Sequence, residues 1–189
     1  FMMKYFNLKD RRLNLKPWRD YKNKVEKCKK KVKIAMIGKY VDLLDSYKSL
    51  NEALYHAGVI NNKTVEITYL DSEKLTKRNI HQLKEMNGIL VPGGFGDRGI
   101  EGKILAAEYA RVNNIPYFGI CLGMQISVIE FARNVMKLNK ANSTEFDKNT
   151  KNPVVALVEE WREDSGKRIF ANMENMGGTM RLGSQECIL

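Results

Sequence analysis

The residue with the clearest capacity for chemistry is Cys121, in the run Pro116-Tyr117-Phe118-Gly119-Ile120-Cys121-Leu122-Gly123-Met124-Gln125. An apolar and aromatic stretch enters a Gly-x-Cys-x-Gly turn, and a helical pattern follows at once. This is the cysteine form of a nucleophile elbow: a strand ends, a sharp turn lifts one side chain above the sheet edge, and a helix begins beneath it. Glycine is required where neighbouring backbone crowds the turn. Amide groups at a helix N-terminus favour negative charge, which suits a thiolate. A lone free cysteine is more often a small buried hydrophobe, but the two glycines, the strand before and the helix after favour the nucleophile.

A thiolate that attacks a carbonyl creates an oxyanion, which needs amide donors already in place. The residue after the nucleophile, Leu122, supplies one such N–H. The second candidate is Gly94, in the loop Pro92-Gly93-Gly94-Phe95-Gly96 that ends the neighbouring strand. The same loop contains a Gly-x-Gly-x-x-Gly spacing from Gly94 to Gly99. The dinucleotide-binding version of that spacing needs a carboxylate at the end of the next strand, and Ile120 and Cys121 stand there instead. A thiol also needs a base. The two histidines, His56 and His81, fall in segments distant from the elbow.

The elements that must hold these residues follow from periodicity. Residues 32–38 read as an apolar strand closed by glycine. A helix capped by Asp45 or Ser46 carries Leu50, Ala53, Leu54 and Ala57 on one face. Residues 65–70 alternate as a strand, 72–86 read as a helix, 88–91 as a third strand and 100–113 as a helix. Residues 115–120 form the fourth strand, and the helix after the elbow runs to about Leu138. Alternating strands and helices predict an α/β fold, a doubly wound, mostly parallel sheet with helices on both faces. Ligands bind such sheets at the carboxyl ends of the strands, where both glycine loops fall. Residues 153–158 and 168–171 are expected to add antiparallel strands at the sheet edge.

The chain has 189 residues and a net charge of +10. Residues 1–33 hold 13 Lys/Arg and 3 Asp/Glu, while the remainder holds 19 of each sign. The excess is therefore concentrated in an N-terminal arm, residues 1–31, and the body from 32 to 189 is neutral but for Lys33. The arm is expected to form a helix near Lys16–Lys27 that docks through Trp18. It carries no nucleic-acid motif, so no nucleic-acid partner is expected. No apolar run reaches the ~20 residues that span a bilayer, and no secretion signal precedes the body. Three scattered cysteines and two histidines give neither a disulfide framework nor a metal site. A cytoplasmic location is the expectation.

Four stretches in order carry a resemblance: Pro92–Gly96, Gly119–Gln125, Ala141-Asn142-Ser143-Thr144-Glu145-Phe146 and Gly177-Gly178-Thr179-Met180-Arg181-Leu182-Gly183. Together they resemble the CTP synthase family, and within it the C-terminal glutamine amidotransferase domain, of flavodoxin-like fold. The resemblance covers roughly 32–189, with the arm similar to the linker from the family's synthetase domain. It implies that Cys121 attacks the side-chain amide of L-glutamine, with Gly94 and Leu122 as oxyanion donors and with Gln125 and Glu145 holding the substrate. Glu145 receives the α-ammonium. It further implies GTP as activator, with Lys48, Phe95 and Arg98 as candidate contacts. No cofactor is implied for this domain. ATP, Mg and UTP belong to the synthetase domain, and the full-length enzyme is a homotetramer. The family's His-Pro-Glu segment lies downstream of the last stretch, so the chain is expected to stop before its general base. The alternative is a catalytically incompetent regulatory or interaction domain of the same fold.

Overall fold

The computed structural model describes residues 2–9, 14–39, 44–94, 96–156, 160–162 and 168–170. A short helix α1 (Met2–Tyr5) precedes α2 (Lys16–Lys27), which has proline in its first turn. The body begins with β1 (Lys30–Gly38) and α3 (Lys48–Ile60), followed by β2 (Lys63–Asp71), β3 (Gly88–Val91), α4 (Ile100–Val112), β4 (Tyr117–Gly119) and α5 (Leu122–Asn134). Four short strands follow, β5 (Asn142–Ser143) pairing with β6 (Pro153–Val155), and β7 (Glu160–Arg162) with β8 (Arg168–Phe170).

The central sheet has the order β2-β1-β3-β4, and every pairing is parallel. This is the doubly wound arrangement in which the strand order reverses beside the first strand, leaving a crevice at the carboxyl ends. Successive residues of β1 serve opposite faces, as strand geometry requires. Ala35 and Ile37 pack with Ile89, Val91, Ala106 and Ala110 on the α4 side. Met36 packs with Leu90 and Tyr47 on the other, where Leu50 and Leu54 of α3 approach. A further cluster of Ile100, Ile104, Ala107, Leu122, Ile126 and Ile129 joins α4 to α5. That joint also carries an ion pair. Arg111 donates to both oxygens of the buried Glu130 carboxylate, its Nη2 lying 2.7 Å from Oε1, and Asn134 donates to the same oxygen. The carboxylate holds the Arg111 guanidinium above its usual pKa, chiefly through that hydrogen bond. The helix beneath Cys121 is thus fixed to its neighbour by apolar packing and by a paired buried charge.

Several expected elements differ in the structure. Residues 72–86 form turns and a 3-10 segment, Ile80–Leu83, rather than a helix. Asn79 explains this. Its side-chain oxygen accepts from the Thr76 amide at 2.7 Å and its amide group donates to Lys74 O at 2.9 Å. Such side-chain bonds offer the backbone an alternative to the helical ladder. Neither Asp45 nor Ser46 caps α3; a 3-10 turn, Leu44–Tyr47, runs straight into it. The C-terminal strands do not extend the main sheet. β5 and β6 pair parallel as a separate two-stranded sheet, and β7 and β8 pair antiparallel as another. Helix α2 falls where periodicity places it, but Trp18 is 72% exposed. The helix meets the body through Tyr21, whose ring stands edge-on to His56 of α3 at 5.5 Å.

Candidate active site

Cys121 stands between β4 and α5 with φ 54° and ψ −106°. A residue with a side chain rarely adopts that backbone, which stores roughly 1–3 kcal/mol and persists only where the surroundings impose it. The surroundings are visible. Ile120 N–H donates to Val91 O at 3.0 Å, tying the turn to β3. The amides of Met124 and Gln125 donate to Cys121 O at 3.1 and 3.2 Å, and Gly123 N–H donates to Ile120 O at 2.9 Å. Both glycines are required by close approach. A Cβ on Gly119 would lie 2.3 Å from the Gly123 carbonyl carbon, and one on Gly123 would lie 2.1 Å from Val91 O. The result is an exposed Cys121 side chain at the end of the sheet.

A further tie was not foreseen. Tyr117 of β4 donates its hydroxyl to Gly123 O at 2.8 Å, bracing the first turn of α5 against the strand that enters the elbow. Burial raises the pKa of this hydroxyl. Replacing Tyr117 by phenylalanine is expected to cost about 1 kcal/mol in urea denaturation, the usual net worth of one hydrogen bond. The wild type also loses stability as pH rises past the ordinary tyrosine value of 10.0, because the unfolded chain releases that proton first. The phenylalanine variant should lack that part of the alkaline loss.

The glycine loop lies beside the elbow. A Cβ on Gly93 would sit 3.5 Å from the Cys121 Cβ, and one on Gly94 would sit 3.8 Å from the Leu122 side chain. Among the described residues, neither Gly94 N–H nor Leu122 N–H has a hydrogen-bond partner. The two unpartnered amides therefore belong to the two segments that meet at Cys121, and an oxyanion needs donors of that kind. Glu145 reaches the same loop: its Oε1 accepts from Gly96 N–H at 3.1 Å. The turn that presents Glu145 is held by the buried Ser143, whose hydroxyl accepts from Glu145 N–H at 3.2 Å and whose carbonyl accepts from Phe146 N–H at 3.1 Å. Gln125 occupies the first turn of α5.

The remaining sequence candidates are dispersed. Arg98, at the end of the glycine loop, is engaged by Glu73 through two hydrogen bonds, from Nε and from Nη2. That contact, led by the Arg98 hydrogen bond, holds the Glu73 carboxyl below its usual pKa. Lys48 is exposed on the first turn of α3. Phe95 and the stretch from Gly177 to Gly183 lie outside the described residues. The Nε2 of His56 lies 4.0 Å from Glu52 Oε2 on α3, and the Nδ1 of His81 meets Arg78 O at 3.1 Å. Neither contacts Cys121, and among the described residues no group hydrogen-bonds its sulfur. No group of three or more potential metal ligands occurs among the described residues. None of their helices is long and apolar enough to cross a membrane.

Two charged residues were missed, Glu73 and Lys103. Lys103 follows Ile100 by three positions, on the same face as Ile104 and Ala107, so the helical period did mark it as inward-facing. It is 2% exposed.

A parallel doubly wound sheet with a cysteine elbow and paired amides at its carboxyl edge defines a class of protein, and comparison agrees. The model of class-I glutamine amidotransferases matches residues 42–189, and the chain belongs to that family. Among solved structures it is similar to the glutaminase domain of Trypanosoma brucei CTPS with bound acivicin, with 43% identity and a TM-score of 0.64. The match covers 71% of this chain and 53% of that one, so this chain spans about half the length of that relative.

Proposed function

We propose that this chain is the glutaminase part of a CTP synthase. The observation that carries the reading is the exposed Cys121 at its positive-φ elbow, with the unpartnered amides of Gly94 and Leu122 alongside. The Cys121 thiolate adds to the side-chain carbonyl carbon of L-glutamine. The oxygen takes the negative charge and lies against the two amides. As the carbonyl reforms, the C–N bond breaks and ammonia leaves with a proton, giving a γ-glutamyl thioester. Water then cleaves the thioester to glutamate and frees the thiol. His56 and His81 do not serve as the base in this reading.

Glu145 binds the α-ammonium of glutamine, a charge-assisted contact, and Gln125 lines the same crevice. Replacing Glu145 by alanine is expected to raise KM for glutamine about tenfold or more with a smaller change in kcat, because the contact exists before and during reaction. Steady-state glutamate release measures this; an unchanged KM would remove Glu145 from the site. The ammonia feeds ATP- and Mg-dependent amination of UTP in a synthetase domain. GTP stimulates the reaction through Lys48, Phe95 and Arg98, in a cytoplasmic homotetramer.

The trypanosomal relative has acivicin, a glutamine analogue, bound, and that compound supplies the test. Incubation of the full-length protein with acivicin, followed by peptide mass spectrometry, is expected to place the label on Cys121 and to stop glutamate release. Label on Cys28 or Cys187 instead would reject the assignment. The second reading, a domain that keeps the fold without the activity, draws on the lack of any partner for the Cys121 sulfur among the described residues. It predicts no glutamate release and no acivicin label.

A further inference from the structure

Lys103 is placed where a cation is hard to accommodate. It lies in the first turn of α4, the positive end of the helix, and it is almost fully buried. Burying an ammonium group costs free energy unless a partner compensates. Two charged groups act on it, Lys39 just after β1 and Glu73 in the turn after β2, and Glu73 is itself gripped by Arg98. Burial, and then Lys39, push the Lys103 amine down from 10.5 to about 8, while Glu73 pulls it upward.

The same carboxylate holds the glycine loop. Glu73 receives Arg98 through two hydrogen bonds and is further drawn by the charges of Lys39 and Lys103. An exposed ion pair alone holds a loop weakly. A charge sunk in the helix behind it is less screened and adds to the hold. Packing makes that proximity unavoidable. A Cβ on Gly102 would lie 1.9 Å from Ser72 O, so the first turn of α4 rests directly on the residue before Glu73. The loop is gripped at Arg98 by Glu73 and at Gly96 by Glu145. Gly94 lies two residues before Gly96 in the same loop.

We propose that Lys103 is a positioning residue for the glycine loop: its buried ammonium, with Lys39, keeps the Glu73 carboxylate against Arg98 and so holds the Gly94 amide where the oxyanion forms. This rests on the glutaminase reading of Cys121. Its consequence is a loss of turnover, with little change in KM, when Lys103 loses its proton, because the amide acts on the transition state.

The test uses the full-length protein from pH 7 to 9.5. At each pH, kcat for glutamine hydrolysis is divided by the rate at which iodoacetamide alkylates Cys121. The division removes the thiol's own ionisation. The wild-type ratio is expected to fall about tenfold across a step near pH 8. Lys103→Met should give a low ratio that ignores pH, and Lys103→Arg, which stays charged, should keep the ratio high at pH 9.5. Glu73→Gln, on the surface and harmless to folding, should match Lys103→Met, and the double variant should lose nothing more. Folding gives an independent check. The folded state releases the Lys103 proton before the unfolded chain does, so this group makes wild-type stability rise between about pH 8 and 10.5. Lys103→Met should melt higher at neutral pH and lack that rise. Wild-type hydrolysis with a flat ratio, or Lys103→Met turning over like wild type at pH 7, overturns this proposal alone. No hydrolysis by wild type, with Cys121 unlabelled by acivicin, overturns the glutaminase reading and this proposal with it.

Discussion

Replacing Cys121 by alanine is expected to lower glutamine hydrolysis by at least a thousandfold in the full-length protein, the scale seen when a covalent nucleophile is removed. Serine should do little better. The elbow presents the side chain at a helix N-terminus, where a thiolate gains far more than a hydroxyl that stays protonated. The fold should not suffer. Cys121 is exposed, and its strained backbone is imposed by the bonds of Ile120, Gly123, Met124 and Gln125 rather than by the sulfur. Urea denaturation of Cys121→Ala should therefore lie within roughly 1 kcal/mol of wild type. Glycine at the same position should be neutral or stabilising, since φ 54° is costly for any residue with a Cβ. If Cys121→Ala retained a tenth of the glutamate release, the thioester route would be rejected whatever the fold resembles. Loss of activity together with loss of folding would instead show that the thiol packs against something structural.

Much of this site could be read from residue order because local rules and global fold agree there. β1 ends in an apolar run closed by Gly38, β3 is an apolar run that leads into Pro92-Gly93-Gly94, α4 keeps a 3.6-residue period, and the elbow is bounded by two glycines that backbone crowding demands. What escaped notice depended on side chains reaching across the chain. The helix expected over 72–86 is replaced because one asparagine, Asn79, bonds the backbone on both sides of it. Lys103 lies on an apolar face, and an apolar pattern is usually read past a single lysine. The bond from Gly96 N–H to Glu145 spans 49 residues, and no periodicity records it. Glu145 itself came from resemblance; only the folded chain shows that it touches the glycine loop. Of the short strands, β6 and β8 were legible as strands, β5 and β7 were not, and no strand's partner was. Each is two or three residues long, too short for alternation to say which edge it joins.

The second large effect concerns folding. Replacing Gly123 by alanine is expected to destabilise the protein by more than about 3 kcal/mol, at the upper end of what overpacking costs. The added methyl would lie 2.1 Å from Val91 O and 2.9 Å from the Val91 carbonyl carbon. Neither atom can retreat cheaply. Val91 O already accepts from Ile120 N–H at 3.0 Å, and Val91 is paired with Gly119 in the sheet. Moving α5 away instead would open the cluster of Leu122, Ile126 and Ile129 and stretch the Tyr117 bond to Gly123 O. Gly94→Ala is the informative contrast. Its methyl would meet only the flexible end of Leu122 at 3.8 Å, so stability should hold within roughly 1 kcal/mol. Denaturation midpoints for the two variants decide the matter. If Gly123→Ala unfolds with the wild type, strand β3 does not press on the first turn of α5. The elbow would then owe its backbone to something other than crowding.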